Sequence, residues 1–160
     1  MIQILNFNHQ SSPYNLSVKI LNGVTLSQDL TLANREENFI KDICNRVIKS
    51  KSVLYVLQNN QVNDIVGLVA LSVTSVNEQP ALQIDYILVN SKYQGKTLSD
   101  LDDCKPFRYL MKLAISLGEK ISLELGLRYI VLSPDNNDLK EKYNNVGFEH
   151  LNDDWMYFKL

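Results

Sequence analysis

A long amphipathic segment between two short apolar runs constrains the fold more than any other feature of the chain. Apolar side chains recur at three- and four-residue steps across residues 107–125, over about five helical turns. Pro106 suits the first position of a helix and Gly126 suits its C-terminal stop. Strand-like runs at 82–89 and 129–133 precede and follow this helix. The order strand, long helix, strand predicts a parallel crossover unit.

Two further strand-like runs precede the crossover unit. Residues 52–58 and 65–74 are rich in β-branched and aromatic side chains and are separated by an asparagine-rich turn. This pattern predicts an antiparallel hairpin. A second turn at 77–80 then leads into the run at 82–89, so we expect three consecutive antiparallel strands. Gly67 predicts a bulge or a close backbone approach within its strand.

The N-terminal third is less regular than the rest of the chain. Residues 2–7 alternate apolar and polar side chains and predict a short strand. Residues 8–28 are rich in Ser and Asn and predict a loop with one short element. Helical periodicity at 34–50 predicts a helix with Asn34 as its N-cap. The chain holds 17 Asn residues, so a single Asn carries little functional information unless its position is special.

The C-terminal segment adds one helix and two strands. Residues 135–145 predict a short helix with Asn136 as its N-cap and Gly147 as its end, and strands are expected from Phe148 and over 155–160. The whole pattern predicts an α/β fold with a mixed, mostly antiparallel central sheet flanked by helices. At 160 residues, the chain is expected to form a single domain, 1–160.

Composition narrows the classes of function. The net charge is -2, without a charged tail, which does not favour a protein that binds nucleic acid mainly through charge. No apolar run of about 18 residues exists, so no membrane span is expected. The first residues lack a basic region followed by an apolar stretch, so no signal peptide is expected.

The cysteines and histidines do not suggest a metal site or a disulfide framework. Cys44 and Cys104 are expected to be free thiols in a reducing, cytoplasmic compartment. His9 and His150 lack the spacing of metal ligands, so no metal is expected. Acidic neighbours around Cys104 disfavour a catalytic thiolate there.

Two motifs carry a resemblance to a known family. The strand at 84–89 leads into Asn90-Ser-Lys-Tyr-Gln-Gly-Lys96, and the C-terminal segment places Asn136, Tyr143 and the pair Gly147-Phe148 in order. This pattern, together with the order of elements, resembles the GNAT superfamily of acyl-CoA-dependent N-acyltransferases over roughly residues 52–160. The resemblance implies a splayed pair of parallel strands and acetyl-CoA as the co-substrate.

The resemblance also implies where acetyl-CoA binds. Its pantetheine arm would add like a strand to the backbone of Ile87, Leu88 and Val89. Its pyrophosphate would be held by the segment after the strand, and Asn136 would lie close to the coenzyme. The residues expected to hold the pyrophosphate are Gln94, Gly95, Lys96, Thr97, Leu98 and Ser99.

This segment departs from the family pattern. Thr97 and Ser99 stand where glycine is usual, and an extra acidic stretch at 100–105 precedes the long helix. Backbone N–H groups bind phosphate oxygens, and glycine lets the backbone approach closely. The carboxylates of the extra stretch oppose an anion, and Lys92, Lys96 and Lys105 offset them in part.

The chemistry of acyl transfer suggests two catalytic candidates. Tyr143 is expected to protonate the leaving thiolate, since the reference pKa of a phenol, about 10, is close to that of a thiol. The alternative for Tyr143 is an ordinary half-buried helix tyrosine. Many family members place a Glu where this chain has Gln83, so Asp85 on the same strand is the candidate base. The alternative for Asp85 is a strand-edge carboxylate that binds a backbone group or a substrate cation.

The sequence therefore predicts an N-acetyltransferase that moves an acetyl group to a primary amine by direct attack. The acceptor is a small molecule, a protein amine or the amino group of an aminoacyl-tRNA, and a homodimer is possible. The alternative is a degenerate GNAT fold that serves as a binding or regulatory module without catalysis.

Overall fold

The structure is a computed structural model that describes all 160 residues. Seven strands form one sheet in the order β1-β2-β3-β4-β5-β7-β6, and four helices flank it. The strands are β1 (Ile2–Phe7), β2 (Val53–Asn59), β3 (Asp64–Val76), β4 (Gln79–Val89), β5 (Tyr129–Leu132), β6 (Glu149–Asn152) and β7 (Trp155–Lys159). The helices are α1 (Leu16–Gly23), α2 (Leu30–Ile48), α3 (Pro106–Leu125) and α4 (Asn137–Asn145).

The sheet is mixed, as expected. β1 pairs with β2, β2 with β3, and β7 with both β5 and β6 in antiparallel fashion. β4 and β5 are parallel neighbours, connected through α3. The predicted α/β class and the predicted crossover unit are therefore confirmed.

The chain divides into two compact units, each built from two segments. The first unit comprises Met1–Leu71 and Asp85–Leu110, and the second comprises Ser72–Ile84 and Met111–Leu160. β4 passes from the second unit to the first after Ile84, and α3 passes back after Leu110. The single-domain organisation stays a prediction.

The first unit has a core between its two helices and its strands. Leu16 and Ile20 of α1 are buried, as are Ile40, Ile43 and Val47 of α2. These side chains pack in one cluster with residues of β1–β3 and with Leu88 near the end of β4. Burial of large aliphatic side chains of this kind stabilises the fold by about 1.5–3 kcal/mol each.

The N-terminal helices confirm one prediction and correct another. α1 is the short element expected within residues 8–28, and its apolar face, Leu16 and Ile20, is fully buried. α2 begins at Leu30, so Asn34 is not its N-cap. The cap is Asp29, whose Oδ1 accepts from the backbone N–H groups of Thr31 at 2.9 Å and Leu32 at 3.1 Å. Asp29 is the favoured cap because it satisfies two of the N–H groups that the start of a helix leaves unpaired.

The second unit contains the parallel strand pair and the C-terminal hairpin. β5 is buried over Ile130, Val131 and Leu132, as expected for a strand with neighbours on both sides. α3 ends before Gly126, as predicted, and the N–H of Gly126 donates to the carbonyl of Ser122 at 3.0 Å. Asn136 caps α4, as predicted, because its Oδ1 accepts from the N–H of Leu139 at 2.9 Å.

Candidate active site

The parallel ladder between β4 and β5 is short. It covers three residue pairs, from Ala81 with Tyr129 to Gln83 with Val131. β5 ends at Leu132, whereas β4 continues to Val89. The last part of β4, which holds the predicted pantetheine residues Ile87, Leu88 and Val89, therefore lies beyond the parallel ladder.

β4 contacts α2 where the parallel ladder has ended. The carboxylate of Asp85 accepts from the hydroxyl of Ser52 at 2.9 Å and lies 3.8 Å from a guanidinium nitrogen of Arg46 in α2. The ring of the next residue, Tyr86, stacks on Phe39 of the same helix with centroids 5.1 Å apart. Both contacts join this part of β4 to α2 within the first unit.

The surroundings of Asp85 bear on its predicted role. Its side chain is 6% exposed, and Arg46 also donates through Nε to Ser52 at 3.0 Å, so the three side chains form a closed network. A carboxylate with a guanidinium and a hydroxyl as partners satisfies the requirement for a buried charge. The cation beside Asp85 is thus the guanidinium of Arg46, a group of the protein itself. Its role as a base stays a prediction.

Gly67 in β3 allows a close approach to the end of β4. A Cβ atom at this position would lie 3.0 Å from the carbonyl oxygen of Leu88 and 3.0 Å from Cδ1 of Leu110 in α3. The β2–β3 register also shifts opposite this residue, between Leu57 and Gln58. The sequence predicted a bulge or a close approach here, and the structure contains both. Gly67 thereby sets where Leu88 and Val89 lie within the first unit.

Asn90 fixes the start of the β4–α3 loop (residues 90–105). Its side chain is 1% exposed, its Nδ2 donates to the carbonyl of Ile65 at 2.7 Å, and its Oδ1 accepts from the N–H of Lys92 at 3.0 Å. Its own N–H donates to the carbonyl of Val66 at 3.0 Å. Sequence reasoning missed Asn90, since a single Asn in an asparagine-rich chain is a weak signal. Its place directly after an apolar strand was the available clue.

Asp64, the first residue of β3, anchors the next part of the β4–α3 loop. Its Oδ2 lies 2.6 Å from Nζ of Lys92 and accepts from the hydroxyl of Tyr93 at 2.9 Å. The hydrogen bond from Lys92 holds the pKa of Asp64 below its ordinary value. Lys92 was expected to offset the acidic stretch of this loop. The structure instead pairs its charge with Asp64.

The middle of the β4–α3 loop presents backbone N–H groups. The N–H of Lys96 donates to Tyr93 and that of Leu98 donates to Cys104, at 3.2 and 3.1 Å. Four other N–H groups in this stretch, all from residues predicted to hold the pyrophosphate, make no hydrogen bond within the chain; they belong to Gln94, Gly95, Thr97 and Ser99. Exposed N–H groups in a turn are suitable donors for phosphate oxygens. The donor set is present although two of the expected glycines are Thr97 and Ser99.

The acidic stretch of the β4–α3 loop is a folded turn. Leu101 is 1% exposed, and its carbonyl accepts a hydrogen bond from the N–H of Cys104 at 3.0 Å. Leu98 and Cys104 form an antiparallel bridge across the turn, while Asp102 and Asp103 take left-handed backbone conformations at its tip. The extra residues therefore close on themselves before α3 begins.

Gln94 contacts the end of β4 with its side chain. Its Nε2 donates to the carbonyl of Val89 at 3.3 Å. This carbonyl belongs to the backbone that is predicted to pair with pantetheine. A ligand that used the Val89 carbonyl would have to replace this long hydrogen bond.

Tyr143 lies in α4 of the second unit. Its side chain is 4% exposed and packs edge-on against Phe148, with ring centroids 5.8 Å apart. Burial, with a smaller contribution from Asp135, raises the pKa of Tyr143 above its ordinary value. The phenol is therefore protonated at neutral pH, as a general acid must be. Gly147 follows with a left-handed φ of 105°, and the N–H of Phe148 donates to the carbonyl of Tyr143 at 3.0 Å.

The second unit also contains a cavity of about 410 Å³ at the start of β4. Tyr129, His150 and Tyr157 line it, and Gln79 contributes a buried Oε1 without a hydrogen-bond partner. None of the predicted catalytic or coenzyme residues lines this cavity.

Two further observations concern metals and membranes. No group of three or more His, Cys, Asp or Glu side chains is arranged to hold a metal ion. No helix combines the length and the apolar character that a membrane crossing requires.

Comparison with known proteins shows similarity at the level of structure. No protein-family profile and no curated protein matches the sequence. Among solved structures, AtaTR bound with AcCoA aligns with a TM-score of 0.75 and 14% identity, covering 99% of this chain and 92% of that chain. AtaT complexed with acetyl-methionyl-tRNAfMet aligns with a TM-score of 0.72 and 13% identity, covering 99% and 95%.

Other matching structures extend this comparison. The KacTA–DNA complex aligns with a TM-score of 0.69 and 13% identity, covering 98% of this chain and 93% of that chain. Tyrosine-to-phenylalanine mutants of the AtaT toxin and of KacT also match. The predicted resemblance is thus confirmed for the fold: the chain has the GNAT fold over its whole length, as AtaT and KacT do.

Proposed function

We propose that the protein is an acetyl-CoA-dependent N-acetyltransferase that moves an acetyl group to a primary amine by direct attack. The observation that carries this proposal is the whole-chain fold similarity to AtaTR bound with AcCoA. The free N–H groups of the β4–α3 loop support it independently, because they belong to residues that the sequence assigned to the pyrophosphate.

The coenzyme site that we propose lies in the first unit. Gln94, Gly95, Thr97 and Ser99 donate their N–H groups to the pyrophosphate, and the side chains of Lys96 and Lys105 supply positive charge. The pantetheine arm pairs with the backbone of Ile87, Leu88 and Val89 and replaces the contact of Gln94 with Val89. The backbone amides of Lys96 and Leu98 are bonded within the loop, so these residues shape it rather than donate from the backbone. Asn136, from the second unit, remains a predicted coenzyme contact.

The reaction itself needs few protein groups. The neutral amine attacks the thioester carbonyl, a C–N bond forms, and the C–S bond breaks as the thiolate leaves. A backbone N–H near the end of β4 polarises the carbonyl oxygen. Tyr143 gives its phenolic proton to the thiolate; burial raises the pKa of this phenol, which keeps it protonated at neutral pH but makes it a weaker acid than an exposed tyrosine.

The attacking amine must also lose a proton, and Asp85 is the candidate base for this step. Asp85 is the carboxylate on β4 that could take this proton through a water molecule. Its contacts with Ser52 and Arg46 support instead a role in holding β4 against α2. An amine that arrives neutral requires no dedicated base.

Among the three acceptor classes, we favour the amino group of an aminoacyl-tRNA. The observation that favours it is the fold similarity to AtaT complexed with acetyl-methionyl-tRNAfMet. With a net charge of -2, this chain would have to bind tRNA through a local basic surface rather than through its overall charge. A homodimer stays a prediction.

A second candidate function is a GNAT-fold binding module without catalysis. The acidic turn of the β4–α3 loop and the pairing of Lys92 with Asp64 favour it, because both reduce the positive charge available to a pyrophosphate. Gln83, in place of the usual Glu, is consistent with the same alternative.

Calorimetry and an acetylation assay separate the two candidates. We expect acetyl-CoA to bind and to raise the melting temperature, and we expect transfer of its labelled acetyl group to Met-tRNA or to a panel of small amines. Desulfo-CoA, which lacks the thiol, serves as a ligand that binds without reacting. If millimolar acetyl-CoA produces neither heat nor a shift in melting temperature, the acetyltransferase proposal is wrong and the binding module remains.

A further inference from the structure

We propose that Asp64 is a positioning residue for the β4–α3 loop: it orients the free N–H groups of Gln94 to Ser99 toward the coenzyme pyrophosphate. This inference rests on the proposed acetyl-CoA site. Asp64 itself does not contact the coenzyme. It acts through Lys92 and Tyr93, the two residues that directly precede the first donor, Gln94.

The contacts of Asp64 are short and involve one carboxylate oxygen. Its Oδ2 accepts from Nζ of Lys92 at 2.6 Å and from the hydroxyl of Tyr93 at 2.9 Å. Hydrogen bonds to a charged group are among the stronger ones in proteins. The ring of Tyr93 is buried, and the ammonium of Lys92 also lies 5.7 Å from its centroid. The three side chains therefore form a compact cluster at the base of the loop.

Asp64 is itself held by the sheet. It is the first residue of β3 and pairs with Asn59 in the β2–β3 ladder. Asn59 also interacts with the side chain of Tyr93. The two residues that flank the β2–β3 turn thus contact the same tyrosine. The position of the sheet therefore determines the position of the loop at Tyr93.

Asn90 supplies a second fixed point. Its buried amide joins the loop to the carbonyl of Ile65, the residue after Asp64. Residues 90–93 are consequently attached to two neighbouring residues of β3. A donor array binds phosphate well only if its N–H groups are already oriented, because ordering a mobile loop opposes binding.

A competing interpretation predicts an opposite effect. If Asp64 only neutralises Lys92, its removal would free a cation near the pyrophosphate and strengthen coenzyme binding. If Asp64 positions the loop, its removal weakens binding although a negative charge has been lost.

The test compares Asp64→Asn, Lys92→Met and the double variant by calorimetry with acetyl-CoA and by steady-state kinetics. We expect each single variant to raise the Kd and the KM for acetyl-CoA on the order of tenfold, or about 1.4 kcal/mol, with little change in kcat. The double variant should be no weaker than the singles, because both remove the same contact. Tyr93→Phe should show a smaller effect in the same direction.

The matched control is Asp42→Asn, since Asp42 is an exposed carboxylate in α2 with the same charge change. Amide hydrogen exchange without coenzyme gives a readout independent of activity. Exchange at residues 94–99 should accelerate in Asp64→Asn and in Lys92→Met, but not in Asp42→Asn.

The outcomes are distinct. Tighter binding by Asp64→Asn with weaker binding by Lys92→Met would overturn the positioning role in favour of a charge effect. Unchanged binding and unchanged exchange in both variants would also overturn it. If wild-type protein binds no acetyl-CoA, the proposed function fails first and the role of Asp64 in coenzyme binding fails with it.

Discussion

The side-chain amide of Asn90 donates to the main-chain carbonyl of Ile65 across 2.7 Å, inside the first unit and away from solvent. The same side chain accepts from the N–H of Lys92. One polar residue thus satisfies a donor and an acceptor where β4 becomes a loop.

Replacement of Asn90 by Leu should destabilise the protein by about 1–3 kcal/mol, because the Ile65 carbonyl and the Lys92 N–H would lose their partner. Urea denaturation followed by circular dichroism measures this change. Asn38→Ala, on the exposed face of α2, is the control and should change stability by less than about 0.5 kcal/mol. Equal stabilities of Asn90→Leu and wild type would contradict the structural role.

Gly67→Ala should destabilise the protein by about 1–3 kcal/mol through overpacking, because its Cβ meets the Leu88 carbonyl, which is backbone and cannot rotate away. The displacement of Leu88 and Val89 should also weaken binding of acetyl-CoA. Gly126→Ala is the comparison: nothing lies within 4 Å of its Cβ, so only its left-handed φ opposes the change. Thermal unfolding and calorimetry should show a loss of coenzyme affinity in Gly67→Ala alone.

Tyr143→Phe should lower kcat on the order of 10²-fold, the effect typical of removing a general acid, while the Kd for acetyl-CoA stays unchanged. The phenylalanine keeps the contact with Phe148, so the fold should be retained. Tyr55→Phe is the control, since burial also raises the pKa of Tyr55 but its strand, β2, carries no proposed catalytic group. A Tyr143→Phe enzyme with wild-type turnover would remove Tyr143 from the mechanism.

The contribution of the Asp64–Lys92 pair to the free energy of unfolding should depend on pH. The pKa of Asp64 is lowered in the folded protein, so its contribution is complete above the unfolded pKa of about 3.9 and is lost as pH falls through the lower, folded pKa. The pKa of Lys92 is raised, so its contribution is complete below its unfolded pKa and is lost as pH rises through the folded pKa. Denaturation of Asp64→Asn between neutral and acid pH should show a shallower loss of stability than wild type. Identical slopes would mean that the pair contributes nothing.

Much of the fold could be predicted because its signals are local. The spacing of apolar residues along α3, the flanking Pro106 and Gly126, and the cap of α4 by Asn136 all depend on residues within a few turns of one another. The predicted N-cap of α2 lies five residues too late because Asn34 is an acceptable N-cap in isolation. The preference for Asp29 depends on residues 30–33 being helical as well.

The site was only partly predictable because its supporting contacts are distant in sequence. Asp64 and Lys92 are separated by 28 positions, and nothing in either segment alone indicates that they meet. Arg46, Ser52 and Asp85 likewise form a network from three separate elements. The donors Gln94 and Gly95 could be predicted because they follow a strand in a recognisable motif. The residues that position them, such as Asp64, lie far away in sequence and carry no such motif.

The bridge between Leu98 and Cys104 has a consequence for how such a loop can vary. Leu98 and Cys104 are joined by a hydrogen bond of 3.1 Å, so residues 99–103 form a turn that begins and ends at the same place. The length of this turn therefore does not determine the distance from Leu98 to Pro106. Changes in length or charge at its tip can therefore accumulate without moving the start of α3. The sequence at the tip, Asp102 and Asp103, can therefore change while the N–H donors of Gln94, Gly95 and Thr97 keep their positions.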